Sequence, residues 1–265
     1  MKKFIFGMIS AAMVLTAAAE TITFNTQNDW RKHKSLKFVD GNIMEFTGNR
    51  ADICSKAFAI DPNKKYTFTA EIRTKPGTVA GTCYIGNWSI AAGGKLMLPD
   101  HILAVSKSDC QLLEAVAAGS DKVVISKPAC IKNDKVGNNL NIAFNSKADM
   151  SDLPNFDYVA IAKGEVAGDK VVLTLKKKLT KNYAAGTPVR FQRSHMGMYR
   201  GLSNKRPSEE WTKITWTVSG KAQIATNPDH KWWYGAEKGA IRIIANYAHQ
   251  KNAVLQVRNV TLTIE

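Results

Sequence analysis

The sequence lacks the short motifs that mark common catalytic sites. Gly201 and Ser203 begin a stretch like a G-x-S-x-G nucleophile elbow, but Lys205 stands where the second glycine is needed. No glycine-rich phosphate loop between a strand and a helix occurs. Most carboxylates fall in turn-forming stretches, and only Glu45 and Glu71 lie inside clear strand patterns, where acidic residues usually belong to a solvated face. The sequence therefore favours a non-catalytic protein.

Metal-ligating residues are also scarce. The chain has four cysteines and five histidines. No C-x-x-C pair occurs, and no histidine stands at ligand spacing from a cysteine or from another histidine. A structural zinc site is therefore not predicted.

Long hydrophobic runs are missing after the N-terminal segment. No later stretch approaches the roughly 18 uninterrupted apolar residues of a membrane-spanning helix. The N-terminal segment itself has Lys2 and Lys3, an apolar run over residues 4–16, and three alanines at 17–19. This pattern is typical of a secretory signal peptide. We predict cleavage after Ala19 and a secreted protein, periplasmic or extracellular, with an uncleaved N-terminal anchor as the alternative.

Acidic residues are few compared with basic ones. Removing residues 1–19 takes away two lysines and no acid, so the formal charge of +15 becomes +13. In an exported protein this balance favours anionic partners such as acidic polysaccharides. The candidate polyanion-binding residues are Lys176, Lys177, Lys178 and Lys181, followed by Arg190, Arg193, Arg200, Lys205 and Arg206. The alternative is a solvated basic surface that serves only solubility.

An even number of cysteines in an oxidising compartment predicts two disulfides. Three pairings are open to four cysteines. Their order along the chain favours Cys54 with Cys83 and Cys110 with Cys130, because each bridge then closes a loop within one predicted domain.

Short alternating runs separated by Gly, Asn, Asp and Pro predict an all-β fold. Residues 65–73 place Tyr66, Phe68, Ala70 and Ile72 on one face and polar residues on the other. We predict an antiparallel jelly-roll β-sandwich formed by residues 20–99 and 197–265. A lysine-rich, turn-rich stretch at 100–196 is predicted to be an inserted small β-barrel-like domain. A single larger β domain is the alternative.

Three stretches carry a family resemblance. Residues 40–48, residues 60–68 and residues 210–216 look like the opening and closing strands of galactose-binding-like jelly rolls. That family includes carbohydrate-binding modules appended to secreted glycoside hydrolases. The resemblance implies a sandwich fold and glycan binding over about 150 residues of this chain, and it does not extend to residues 100–196.

One position departs from the family pattern. Modules of this kind often carry an acidic pair before their last apolar residues, where it helps to hold a structural calcium ion. Here Arg258 and Asn259 stand in that place. An arginine opposes a cation, so a calcium site is not expected from these residues. Asp40 and backbone carbonyls remain as candidate oxygen ligands.

Aromatic residues outside the strand cores are the candidate sugar-binding groups, because their faces stack on pyranose rings. Trp232, Trp233 and Tyr234 are consecutive in a polar segment, and three consecutive rings cannot all face one core. Tyr84 and Trp88 lie four residues apart on one predicted strand and therefore share a face. The alternative for both groups is packing in the core or over the end of the sandwich.

Together these features predict a secreted, non-catalytic carbohydrate-binding protein whose ligand is a polysaccharide, an acidic one included. A second hypothesis is an envelope or extracellular adhesion protein that binds another protein. A polysaccharide lyase or glycoside hydrolase is the third. No nucleic-acid-binding motif is present, so a dedicated nucleic-acid partner is not predicted.

Overall fold

The computed structural model describes residues 19–194 and 199–265 and shows an all-β protein. Strands make up 47% of it and helices 4%. The predicted fold class, an antiparallel jelly-roll sandwich with a small barrel-like sheet, is therefore confirmed. Residues 1–18 of the predicted signal peptide, which runs to Ala19, lie outside the described residues, as does the predicted domain boundary between residues 196 and 197.

The described residues form seventeen strands. In chain order they are β1 (Glu20–Thr23), β2 (Leu36–Val39), β3 (Ile43–Thr47), β4 (Ala51–Cys54), β5 (Phe58–Ala59), β6 (Lys65–Thr74), β7 (Cys83–Ile90), β8 (Cys110–Gln111), β9 (Lys122–Ser126), β10 (Leu140–Phe144), β11 (Tyr158–Ala167), β12 (Lys170–Leu175), β13 (Pro188–Arg193), β14 (Leu202–Lys205), β15 (Thr212–Ser219), β16 (Lys238–Ala245) and β17 (Val254–Ile264). Short 3-10 helices lie at Gln27–Asp29, Ala92–Gly94 and Pro99–His101. Among the described residues no helix is long and apolar enough to span a bilayer.

Two sheets form the sandwich. Sheet I has the order β15-β6-β17-β3-β2, with β1 also paired to β17. Sheet II has the order β14-β7-β16-β4, with β5 also paired to β16. Both contribute to a single hydrophobic core between them.

The alternation along β6 explains how sheet I meets that core. Tyr66, Phe68, Ala70 and Ile72 are each no more than 1% exposed, as the sequence pattern predicts. Phe68 stacks on Trp216 of β15 with 5.0 Å between ring centroids. Because alternate residues of a strand face opposite sides, the residues between these positions lie on the outer face of sheet I: Thr67, Thr69, Glu71 and Arg73.

Sheet III is a separate, nearly closed barrel-like sheet with the order β8-β13-β10-β11-β12-β9. A bridge between Leu112 and Ile125 brings its two edges together. Its interior is a second hydrophobic cluster, in which Ile142, Phe144 and Leu173 are fully buried.

The loop between β10 and β11 fastens this unit to the sandwich. Leu153 in that loop is 5% exposed and belongs to the sandwich core. Met97, in the connection between β7 and β8, belongs to the same core. Pro154 packs against Gly235, where an added Cβ would lie 2.8 Å from the proline Cδ. Gly235 also has a φ of +79°, which a glycine adopts without strain. The barrel-like unit is therefore held by core packing as well as by its connections.

The predicted disulfides are not present. All four cysteines are free thiols, and no two of them stand at disulfide distance. The pairing of Cys54 with Cys83 is wrong because β16 lies between β4 and β7. Two strand spacings separate the Cα atoms by at least about 9 Å, beyond the roughly 7 Å that a disulfide allows. Cys110 and Cys130 both pack against the interior of sheet III, but as thiols.

Burial should keep these thiols unreactive. It raises the pKa of Cys54, Cys83 and Cys110 to about 12, so almost no thiolate forms at neutral pH. Thiol titration of the purified protein without reductant should detect four thiols after denaturation. In the native state the half-buried Cys110 and Cys130 should react before Cys54 and Cys83. Recovery of no thiols after denaturation would contradict this assignment.

His101 is buried where the barrel-like unit meets the sandwich. It is 6% exposed, and its ring centroid lies 4.4 Å from that of Phe156 and 5.1 Å from that of Tyr158. Its Nδ1 accepts a hydrogen bond from the Leu98 amide at 2.9 Å. Burial lowers the pKa of His101 to about 4, against the opposing effect of the Asp100 carboxylate.

This histidine should make stability depend on pH. The unfolded chain takes up the proton near pH 6.5 and the folded chain only near pH 4, so the free energy of unfolding should fall as pH drops through that range. The loss should reach about 2 to 3 kcal/mol. Urea denaturation between pH 7 and 4 should show this fall in the free energy of unfolding. In the variant His101→Gln the free energy of unfolding should depend much less on pH. Equal slopes in the two proteins would contradict the prediction.

Candidate functional site

Two of the three consecutive aromatic residues are core residues. Trp232 and Trp233 are 0% and 2% exposed, so the predicted stacking platform is wrong for both. The Trp232 ring lies 5.3 Å from that of Tyr66 and 6.1 Å from that of Phe58. Its amide donates to the Gly220 carbonyl at 2.9 Å, which ties the segment to the end of the sandwich.

Only Tyr234 of the three is exposed, at 36%. A non-strand segment can turn two successive side chains inward, because it lacks the alternation of a strand. This is why counting ring faces along the sequence did not predict which of the three rings are exposed.

The outer face of sheet II carries the other predicted pair. Tyr84 and Trp88 are half-buried and lie on this face of β7, with Gly86 between them. Gly86 lies opposite Arg242 of β16, and Arg242 lies opposite Cys54 of β4. Strands β7 and β16 therefore present Tyr84, Trp88 and Arg242 on one surface.

Arg242 is the fixed charge of that surface. Its Nε and Nη2 donate to the two carboxylate oxygens of Asp52 at 2.8 and 2.6 Å. Its guanidinium carbon lies 3.9 Å from the centroid of Trp88 and 5.5 Å from that of Tyr199. Burial lowers the pKa of Arg242, but the hydrogen bonding to Asp52 and the charge interactions with Tyr199, Asp52 and Cys54 together raise it above its usual value, so the side chain stays charged. Such a bidentate pair holds its geometry better than a lysine pair would.

Three tyrosines extend the surface beyond Arg242. The ring of Tyr84 lies 5.0 Å from that of Tyr199 and 5.1 Å from that of Tyr247. Tyr247 is 44% exposed, and the guanidinium of Arg50 lies 4.6 Å from its centroid. The Tyr84 hydroxyl donates to Oδ1 of Asn204 at 3.2 Å. We call Tyr84, Trp88, Tyr199, Tyr247 and Arg242 the aromatic face.

Sequence reasoning missed Tyr199 and Tyr247. Both lie outside the strands, and no local pattern shows which strand residue they will contact. The only available signal was that each is an aromatic residue in a polar, turn-rich stretch.

A pocket opens beside Trp88. It has a volume of about 260 Å³. Its walls include the apolar side chains of Ile90, Leu96 and Ala240, and the exposed basic residues Arg31 and Lys56 lie among its lining. It could take a small polar ligand next to the indole ring.

The four predicted lysines and the predicted Arg190 lie in different environments. Lys176, Lys177, Lys178 and Lys181 line one cleft beside sheet III. Arg190 is fully buried, with its Nη2 2.6 Å from a carboxylate oxygen of Asp152, so it cannot belong to a polyanion-binding surface. Burial raises the pKa of Asp152, but hydrogen bonds from Asn155, Arg190 and the Lys147 amide, with the charge of Arg190, together lower it below its usual value.

The two carboxylates predicted to lie in strands, Glu45 and Glu71, and the calcium position are on the outer face of sheet I. Arg258 is paired with Glu71 at 2.7 Å, and Lys75 with Glu45 at 3.1 Å. Within residues 19–194 and 199–265 no group of three or more His, Cys, Asp or Glu side chains is placed to hold a metal ion.

Comparison with known proteins gives no family. No protein-family model matches the chain, and no curated protein is detectably similar to it.

The position of Trp232 can be tested through stability. Trp232→Ala should lower the free energy of unfolding by about 3 to 5 kcal/mol, because the removed indole leaves a cavity in the core. Tyr234→Ala removes an exposed ring from the same segment and should change it by less than about 0.5 kcal/mol. Urea denaturation of the two variants measures both. Equal, small effects would contradict the buried position.

Proposed function

We propose that this protein is a non-catalytic glycan-binding protein that holds a polysaccharide on its aromatic face. The observation that carries the proposal is the contact of Tyr84 with Tyr199 and Tyr247 beside the paired Arg242. Aromatic rings offer apolar faces to the C–H side of a pyranose ring, and charged or amide groups bind its hydroxyls. Both kinds of group are present here at contact distance from one another.

Preorganisation strengthens this interpretation. Arg242 is held by Asp52 and Trp88, and the Tyr84 hydroxyl is held by Asn204. Side chains that are already ordered lose little conformational entropy when a ligand binds. The remaining polar capacity of Asp52, Arg50 and Asn204 would orient a sugar over the rings.

The sequence supports the same proposal from two sides. The N-terminal segment resembles an export signal, which would bring the protein to the periplasm or the outside of the cell. The strands at residues 40–48 and 60–68 resemble those of galactose-binding-like carbohydrate-binding modules. A sandwich fold alone hosts many functions, so the proposal depends on the aromatic face.

Truncation of one exposed ring should test the site. A glycan array followed by affinity electrophoresis of the mature protein should identify a retained polysaccharide. Tyr247→Ala should then weaken binding roughly tenfold, as loss of one stacked ring does. Tyr247 is largely exposed, so the thermal unfolding midpoint should hardly change.

Trp211→Ala provides the matched control. Trp211 lies on the opposite side of the sandwich, with the guanidinium groups of Arg73 and Arg258 at 4.4 and 4.1 Å from its ring. The Trp211→Ala variant should bind the glycan as tightly as the unmodified protein does. Retention of no glycan, or an equal loss in both variants, would overturn the proposal, and binding of an envelope protein alone would favour an adhesion function.

A further inference from the structure

A second cleft lies beside sheet III, apart from the residues of the aromatic face. Its volume is about 500 Å³. It lies between the segment that follows β12 and the ends of β10 and β11. Its lining includes a group of four lysines: Lys176, Lys177, Lys178 and Lys181.

The lysine segment is braced at both ends. The Leu175 amide donates to the Asp121 carbonyl at 2.7 Å, and the Leu179 amide donates to the Ser120 carbonyl at 2.8 Å. Both leucines are buried in the interior of sheet III. The backbone of the three lysines between them is therefore ordered in the absence of a ligand.

Charge along this segment is not balanced within the protein. Lys181 lies 3.1 Å from Asp157, whose other carboxylate oxygen accepts the Tyr183 hydroxyl at 2.7 Å. Lys176, Lys177 and Lys178 are all exposed, and none of them has an ion-pair partner in the described parts of the chain. Three adjacent unpaired cations raise the local positive potential, which an anionic ligand would lower.

The other acid in the cleft is already engaged. The Asp100 carboxylate accepts a hydrogen bond from Nδ2 of Asn141 at 2.7 Å and one from the Ser194 hydroxyl. Asn141 is only 1% exposed, so this wall is rigid. Asp100 therefore competes less with a ligand for the lysine ammonium groups.

Aromatic side chains complete the cleft. Phe156 and Tyr158 line it and are both half-buried. A ligand that carries acidic groups on a ring with an apolar face would meet cations on one wall and aromatic surface on another. A polysaccharide with regularly spaced acidic groups has both features.

We infer that this cleft binds an anionic polysaccharide through Lys176, Lys177 and Lys178. It is a separate site from the aromatic face, and it rests on the proposed function only in taking a saccharide as the polyanion. Because binding would release counterions, its affinity should fall steeply as salt is raised.

Affinity electrophoresis and titration calorimetry of the mature protein should test this inference at several salt concentrations. The probes are polygalacturonate, which carries carboxylates, and dextran sulfate, which carries sulfates. Replacing Lys176, Lys177 and Lys178 together by Gln should weaken binding roughly tenfold or more. The slope of log affinity against log salt should become shallower by about two to three.

A matched triple variant controls for net charge. Lys64→Gln, Lys213→Gln and Lys221→Gln remove the same charge from exposed positions on the sandwich and should change the affinity less than about twofold. Binding of either probe with this difference supports the inference, and the preferred probe identifies the acidic group. Equal losses in both triple variants, no binding of either probe, or tighter binding of duplex DNA would overturn it.

The same proteins separate this inference from the proposed function. Tyr247→Ala should leave binding of the acidic probes unchanged, and the Lys176–Lys178 triple variant should leave binding of a neutral glycan unchanged. If no neutral glycan binds but the acidic probes depend on the three lysines, only the proposal for the aromatic face fails. If Tyr247→Ala weakens the acidic probes as much as the triple variant does, the separate cleft site is wrong.

Discussion

The packing of sheet I against sheet II decides which side chains of the sandwich can meet a ligand. A strand turns successive residues to opposite faces. Because Ile85 and Ile243 are fully buried between the sheets, their neighbours Tyr84 and Arg242 must face outward. A slip of one residue would bury the charged side chain and expose the core, so the register is strongly specified. The aromatic face is therefore a consequence of how the core is packed.

The placement of acidic residues decides where the excess positive charge acts. Asp52 is paired with Arg242, Asp152 with the buried Arg190, and Asp157 with Lys181. A buried charge needs its partner, whereas an exposed one is stabilised by water. Asp152 and Asp157 beside sheet III are therefore committed to these pairs, and the lysines that precede Leu179 are left available to an external anion.

The sequence was informative where a local period exists and misleading where it does not. Alternation along β6 predicted that Phe68 and Ile72 face the core, and both are core residues. The segment that contains Trp232 has no such period, and its two indoles turn into the core. The cysteine pairing was inferred from order along the chain, but strand order is not chain order, and β16 separates Cys54 from Cys83.

By itself the sequence determined the all-β class, the inward and outward faces of the long strands, and a consecutive run of lysines. Only the tertiary structure decided that Tyr199 and Tyr247 meet Tyr84, and that the lysines face Tyr158 across a cleft. The reason is that backbone geometry sets the face of a residue within a few positions of the chain. The partner opposite that face depends on non-local strand pairing and loop packing, which are set by burial summed over the whole chain.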